Sequence, residues 1–269
     1  MFRISHILSL GLCVLLSYLY YSVFIVPDQS TARSMSKEVK ENMEHFKSLG
    51  RSAFVIGYTG AVGKALVQEL NKAKIFKRVV LIGRRNVSLD VGPEFEQKIV
   101  DFEKLDDHKD IFKDVDTGFC CLGTYRARDG LATFIRTDRD YVLMSGQIAK
   151  DQGCRHFSVV TTAGSDKDSY FSYTKIKGEA EDGLSKMNFE RLSIYRPGFL
   201  LCKRNETRVL ETIAKVVLTP MIYFFPTVMS IPVETVARAM INNAVNLSSP
   251  SGIEIYVNKQ IHKLGKESD

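Results

Sequence analysis

Tyr173 and Lys177 stand four residues apart in the stretch Ser-Tyr-Thr-Lys-Ile-Lys-Gly. On a helix that spacing places both side chains on one face. A phenol beside an ammonium exchanges its proton more readily with a reacting oxygen, which is what general acid–base work on a carbonyl or an alcohol requires. Among the eleven tyrosines, only Tyr173 has a lysine four positions on. Thr162, eleven residues earlier, ends an apolar run and offers a hydroxyl that can hold a substrate oxygen. Tyr-x-x-x-Lys recurs by accident on many helices, so its meaning depends on the elements that carry it.

Those elements begin at Ser52–Gly63, Ser-Ala-Phe-Val-Ile-Gly-Tyr-Thr-Gly-Ala-Val-Gly. Ala53 to Ile56 reads as a buried parallel strand, and Val62, Leu66, Val67 and Leu70 form the apolar face of a helix after it. Between them lie Gly57, Thr59, Gly60, Ala61, Val62 and Gly63, a G-x-x-G-x-x-G turn. Glycines let the backbone turn tightly and approach a dinucleotide pyrophosphate, whose charge then meets the positive end of the helix. The spacing is similar to that of extended and atypical short-chain dehydrogenases.

Arg78–Gly83 reads as a second strand, followed at once by Arg84 and Arg85 where an NAD site usually carries an acid for the ribose hydroxyls. Two planar guanidinium forks suit a 2′-phosphate instead, so the expected cofactor is NADP(H). Gln97–Val100 reads as a third strand whose end places Asp101 toward the adenine amine. Asp106, Asp107 and Asp110 follow on a predicted helix as solvated residues. Thr117–Leu122 is the predicted fourth strand, with Gly123 and Thr124 after it where the backbone passes close to the cofactor. A helix is predicted over Asp138–Lys150, a fifth strand over Phe157–Val160 and a sixth over Phe189–Arg196. The loop Pro197–Leu201 would pass the nicotinamide carboxamide, and Arg208 would reach back to the phosphates. Further on, Leu210–Leu218 reads as a helix and Pro220–Pro226 as an apolar loop over a substrate cleft or against a membrane. A helix over Pro232–Val245 and a strand over Ile253–Val257 close the domain. The expected fold class is α/β, a Rossmann-type doubly wound parallel sheet.

At 269 residues the chain holds one large α/β domain and a tail. The net charge of +6 comes from Lys and Arg scattered among Asp and Glu, a mixed solvated surface and not a nucleic-acid face. Five cysteines without zinc spacing or a disulfide framework suit a reducing compartment, and five lone histidines show no ligand spacing, so no metal is expected. Ile7 to Val26 is a run of twenty residues without a charge. A helix of that length spans the roughly 30 Å of a bilayer core, and no small-x-small cleavage site precedes Pro27. Residues 1–27 are therefore expected to be a single-pass membrane anchor, 28–50 a linker and short amphipathic helix, and 51–269 the nucleotide-binding domain with a small C-terminal lid region. Arg33, Lys37 and Lys40 beyond the span favour a cytosolic body on an internal membrane, the endoplasmic reticulum or the mitochondrial outer membrane.

From Arg51 to Lys266 the chain resembles the Tat-interacting protein family of atypical short-chain dehydrogenases. The stretches that carry the resemblance are LIGRR at Leu81–Arg85, VDFEKLDD at Val100–Asp107, GFCCLGT at Gly118–Thr124, DRDYVL at Asp138–Leu143, RPGFLLC at Arg196–Cys202 and IHKLGK at Ile261–Lys266. The resemblance implies an NADP(H)-bound Rossmann fold with Tyr173 as proton donor or acceptor and Lys177 as its partner. It also implies cofactor contacts at Thr59 through Val62, Arg84, Arg85, Leu122, Gly123, Leu200 and Arg208. The family loop reads G-A-S-G-E-T-G where this chain has G-Y-T-G-A-V-G, so polar side chains at Ala61 and Val62 are lost while Thr59 keeps a hydroxyl. Thr161 and Thr162 replace a serine pair and keep that hydroxyl as well.

Two functions follow as expectations. One is a membrane-tethered NADP(H)-dependent oxidoreductase acting on a carbonyl or alcohol, with an apolar substrate made plausible by the tether. The other is an NADP(H)-binding regulatory protein acting through partners, which the family's links to growth control, apoptosis and nuclear transport receptors imply.

Overall fold

Apolar runs of four to six residues are buried along almost their whole length, as strands covered on both faces are. They form β1 (Ser52–Ile56), β2 (Arg78–Gly83), β4 (Thr117–Cys120), β5 (His156–Val160) and β6 (Arg191–Arg196). β3 (Phe95–Ile99) and β9 (Gly252–Val257) complete a sheet of order β3-β2-β1-β4-β5-β6-β9, every neighbouring pair parallel. The computed structural model describes residues 29–124, 126–202, 229–249 and 251–266.

The helices are α1 (Gln29–Ser48), α2 (Ala61–Ala73), α3 (Arg126–Ile135), α4 (Tyr141–Asp151), α5 (Ser172–Ser185), α6 (Val233–Val245) and α7 (Asn258–Leu264). Alternation along the strands sorts their side chains into two cores. Val55 and Leu81 pack with Leu66, Val67 and Leu70 of α2 and with Val236 and Met240 of α6. Phe54, Val80, Phe157 and Ile194 pack with Val142 and Ile148 of α4 and Leu184 of α5. Each such fully buried side chain stabilises the fold by roughly 2 kcal/mol relative to exposure. Strand order reverses direction between β1 and β4, and a crevice opens there beyond the carboxyl ends of the strands.

Within the body Glu41–Glu267, Phe46 of α1 is fully buried edge-on to Phe76, with the Arg51 guanidinium over its ring. The segment expected as a linker and a short helix is thus helical over Gln29–Ser48. Among the described residues no helix is long and apolar enough to cross a membrane, and the predicted span Ile7–Val26 lies outside them. So do Arg208, the Leu210–Leu218 helix and the Pro220–Pro226 loop.

Three local expectations change. The acidic run Phe102–Phe112 is a chain of 3-10 turns broken at Lys104 and His108: Phe102, Leu105 and Phe112 are buried, and the Asp and His residues between them compete with a regular helix through local hydrogen bonding. Pro197–Leu201 is not a bare loop: Phe199–Leu201 is a short strand, β7, parallel to β8 (Ser230–Pro232). The helix expected from Asp138 starts at Tyr141, and Arg136–Asp140 before it is a wider π turn.

Candidate functional site

The turn after β1 is built around contacts only glycine allows. Gly57 has φ 81°, and a Cβ there would lie 2.6 Å from the carbonyl of Cys121, where β4 ends. A Cβ on Gly63 would lie 2.2 Å from the Gly57 carbonyl oxygen, so α2 seats directly on the turn. No side chain caps α2 at Gly60 and its first turn carries no acid, leaving the first amides for an anion. That is the fit a pyrophosphate needs.

Across the switch point, the π turn rotates Asp138 inward until it is 1% exposed. Its Oδ1 lies 2.8 Å from Lys177 Nζ, itself buried on α5. The other oxygen, Oδ2, accepts from the Thr124 backbone N–H at 2.8 Å and from its hydroxyl at 2.9 Å. Lys177 also donates to the Leu122 carbonyl at 3.4 Å. A carboxylate from one element and an ammonium from another thus clamp Leu122–Thr124, the stretch facing the glycine turn. Burial opposes the charge on Lys177, but Asp138 and then Tyr173 outweigh it and hold the ammonium above its ordinary value.

Tyr173 occupies the first turn of α5, partly exposed, its ring stacked at 5.3 Å on the fully buried Phe134 of α3. Among the described residues its hydroxyl has no hydrogen-bond partner. Thr162 is the second residue after β5, its N–H and carbonyl tied to the Ser165 hydroxyl. The turn beyond it is latched to α5: Asp166 N–H donates to the Thr174 carbonyl at 3.1 Å, and a Cβ on Gly178 would strike Asp166. Beneath them Thr161 donates to Glu181 at 2.6 Å, and Glu181 takes both nitrogens of the Arg196 fork. This buried brace ties β5, α5 and β6 together, so it sets where Thr162 and Tyr173 stand.

Residues 52–152 match the family described as semialdehyde dehydrogenase, NAD binding domain. With HTATIP2 of Rattus norvegicus the chain shares 42% identity over 228 residues, 84% of this chain and 94% of that protein. The chain belongs to the HTATIP2 family. It is also similar to FMP52, mitochondrial, of Saccharomyces cerevisiae, 31% identical over 165 residues, 58% of this chain and 69% of the relative. In fold it is similar to a UDP-glucuronic acid 4-epimerase from Bacillus cereus in complex with NAD (TM-score 0.60, 13% identity, 77% of each chain). A putative NAD-dependent epimerase/dehydratase from Bacillus halodurans is likewise similar (TM-score 0.56, 19% identity, 80% of this chain and 99% of that one). The HTATIP2-family chain therefore has a Rossmann-type NAD(P)-binding fold.

Gly57, Thr59 and Gly60 fall on the turn after β1, Ala61, Val62 and Gly63 open α2, and Leu122 and Gly123 fall on the facing turn after β4, across the switch point of this HTATIP2-family sheet. Arg84 and Arg85 are exposed directly after β2, neither paired with a carboxylate among the described residues. Asp101 sits after β3, but its carboxylate already accepts from the Glu103 N–H at 3.0 Å and caps the 3-10 turn. Leu200 lies exposed on β7. Sequence reasoning placed Thr124 beside the cofactor but missed its bonds to Asp138, the inward turn of Asp138 and the Glu181–Arg196 brace. The first acid of Asp-Arg-Asp-Tyr, Asp138, was the one available signal, and a regular helix from that residue gave no reason for it to point inward.

Proposed function

We propose that this chain is a membrane-tethered NADP(H)-dependent oxidoreductase interconverting a carbonyl and an alcohol. The observation that carries the reading is Tyr173, exposed and with no hydrogen-bond partner for its hydroxyl among the described residues, on the same helix as a buried, charged Lys177. A bound reduced nicotinamide supplies the hydride. Tyr173 gives its proton to the substrate oxygen as charge grows there, and Thr162 donates a hydrogen bond to that oxygen. Lys177, kept cationic by Asp138, stabilises the phenolate left behind. The exposed guanidiniums of Arg84 and Arg85 support NADP(H) over NAD(H). Tyr170 and Phe171, both exposed beside Tyr173, support an apolar substrate. The uncharged run Ile7–Val26 supports the tether, with the body cytosolic on the endoplasmic reticulum or mitochondrial outer membrane.

A second reading has its own support. Lys177 is already engaged by Asp138 and the Leu122 carbonyl, an arrangement that holds a nucleotide-binding turn in shape without turnover. The protein would then act through a partner such as a nuclear transport receptor. Titrating NADPH and following its carbonyl-dependent oxidation by the full-length chain in detergent, wild type against Tyr173→Phe, separates the two. The enzyme reading expects equal NADPH affinity and a kcat lower by about a hundredfold or more in the variant. Equal binding with no turnover by either across aliphatic and aromatic carbonyls favours the regulatory reading.

A further inference from the structure

Tyr58 is the second residue of the glycine turn, where a small side chain would serve the turn itself. Its ring is instead 1% exposed, packed with Val55, Leu66 and Leu81. The hydroxyl lies 2.8 Å from the Arg85 carbonyl oxygen and 2.9 Å from Gln97 Oε1 on β3. Gln97 holds the same loop from its other side, accepting from the Val87 N–H at 3.1 Å and donating to the Val87 carbonyl at 2.8 Å. The last residue of β2 is bare to admit the ring: a Cβ on Gly83 would lie 2.6 Å from Tyr58 Cε1. Burial pushes the phenol up, with Arg85 only partly offsetting it, so the group keeps a proton to donate. Arg85 and Val87 are thereby fixed at the backbone while the side chains of Arg84 and Arg85 stay exposed.

We infer that Tyr58 is a positioning residue for cofactor discrimination, its phenol pinning the Arg84–Val87 turn so that the two guanidiniums stand ready for a 2′-phosphate. This rests on the NADP(H) reading above. An unpinned loop has to be ordered when the phosphate binds, and that ordering opposes NADPH alone, since NADH makes no demand on the guanidiniums.

The test is the NADPH and NADH dissociation constants of the full-length chain in detergent, for wild type, Tyr58→Phe, Gln97→Met and Arg84→Ala/Arg85→Ala. Wild type should favour NADPH. Tyr58→Phe and Gln97→Met should each weaken NADPH about three- to tenfold with NADH unchanged, the range of a lost buried hydrogen bond. Added to Arg84→Ala/Arg85→Ala, Tyr58→Phe should change neither constant further. A wild-type preference retained in full by Tyr58→Phe and Gln97→Met overturns the proposal and leaves the NADP(H) reading standing. Equal weakening of both cofactors makes Tyr58 a structural residue and also overturns it. A wild-type ratio near one removes the NADP(H) reading and the proposal with it.

Discussion

Asp138 bears on Lys177 more directly than Tyr173 does, because it holds the ammonium by an ion pair with both side chains buried. Replacing it with asparagine keeps the shape and removes the charge, leaving an ammonium in a dry site. Breaking a buried pair from one side costs about 3–5 kcal/mol, whereas removing both charges costs far less. Asp138→Asn and Lys177→Met should each lower the unfolding free energy, read from urea titrations, by that order. The double change Asp138→Leu/Lys177→Met should lie well short of the sum. Additive losses would mean that the pair does not work as a unit. The same geometry sets the alkaline behaviour. A folded lysine held above its ordinary value contributes fully below that value and loses the contribution as pH rises through the folded one. The pair therefore supports the site throughout the neutral range.

At the scale of elements, β5, β6, β9 and α6 enclose a polar layer at the far end of the sheet from the site. His156 is buried against Ser193 at 2.9 Å, and Arg191 pairs with Glu254 at 2.9 Å. Asn243 of α6 donates to Ser193 and accepts from Arg191. Burial, then Arg191 and more weakly Arg51, pushes the His156 imidazole down to about 3, with Glu254 pulling the other way. An unfolded histidine takes its proton near 6.5, so between that value and about 3 the unfolded chain binds the extra proton and stability falls as pH falls. Between pH 7 and pH 5 the loss should be about 2 kcal/mol by denaturant midpoints, and His156→Gln should remove most of it. An unchanged pH difference in the variant would assign the loss to other groups. Glu254 is pushed up by burial but held below its ordinary value by Arg191 and Ser193, so its contribution is lost only at lower pH. None of this layer was legible in the sequence, because Arg191, Asn243 and Glu254 are far apart along the chain and each reads as an ordinary surface residue. The strands were legible because burial on both faces demands unbroken apolar runs. The glycine turn was legible because only one residue type fits it. Asp138 and Tyr58 were not, since a π turn and a ring filling the space above Gly83 are decided by packing rather than by local preference.

For the whole molecule, the open question is whether the nucleotide-binding body works on a membrane. The body accounts for Glu41–Glu267, and among its described residues no helix is long and apolar enough to cross a membrane. The proposal rests on Ile7–Val26, where twenty uncharged residues carry an apolar surface that water penalises along its whole length. A peripheral protein held by charge leaves the bilayer when alkaline carbonate opens the vesicles and strips its ion pairs, while a spanning helix stays. The full chain should remain in the carbonate pellet, and a chain lacking residues 1–26 should appear in the supernatant with its NADPH binding unchanged. Release of the full chain would remove the tether from the proposed function. In sealed vesicles with the cytosolic face outward, added trypsin should digest the body, because Arg33, Lys37 and Lys40 favour the side that holds it. Protection of the body would reverse that orientation, placing Cys121 and Cys202, which are free thiols in the fold, in an oxidising space.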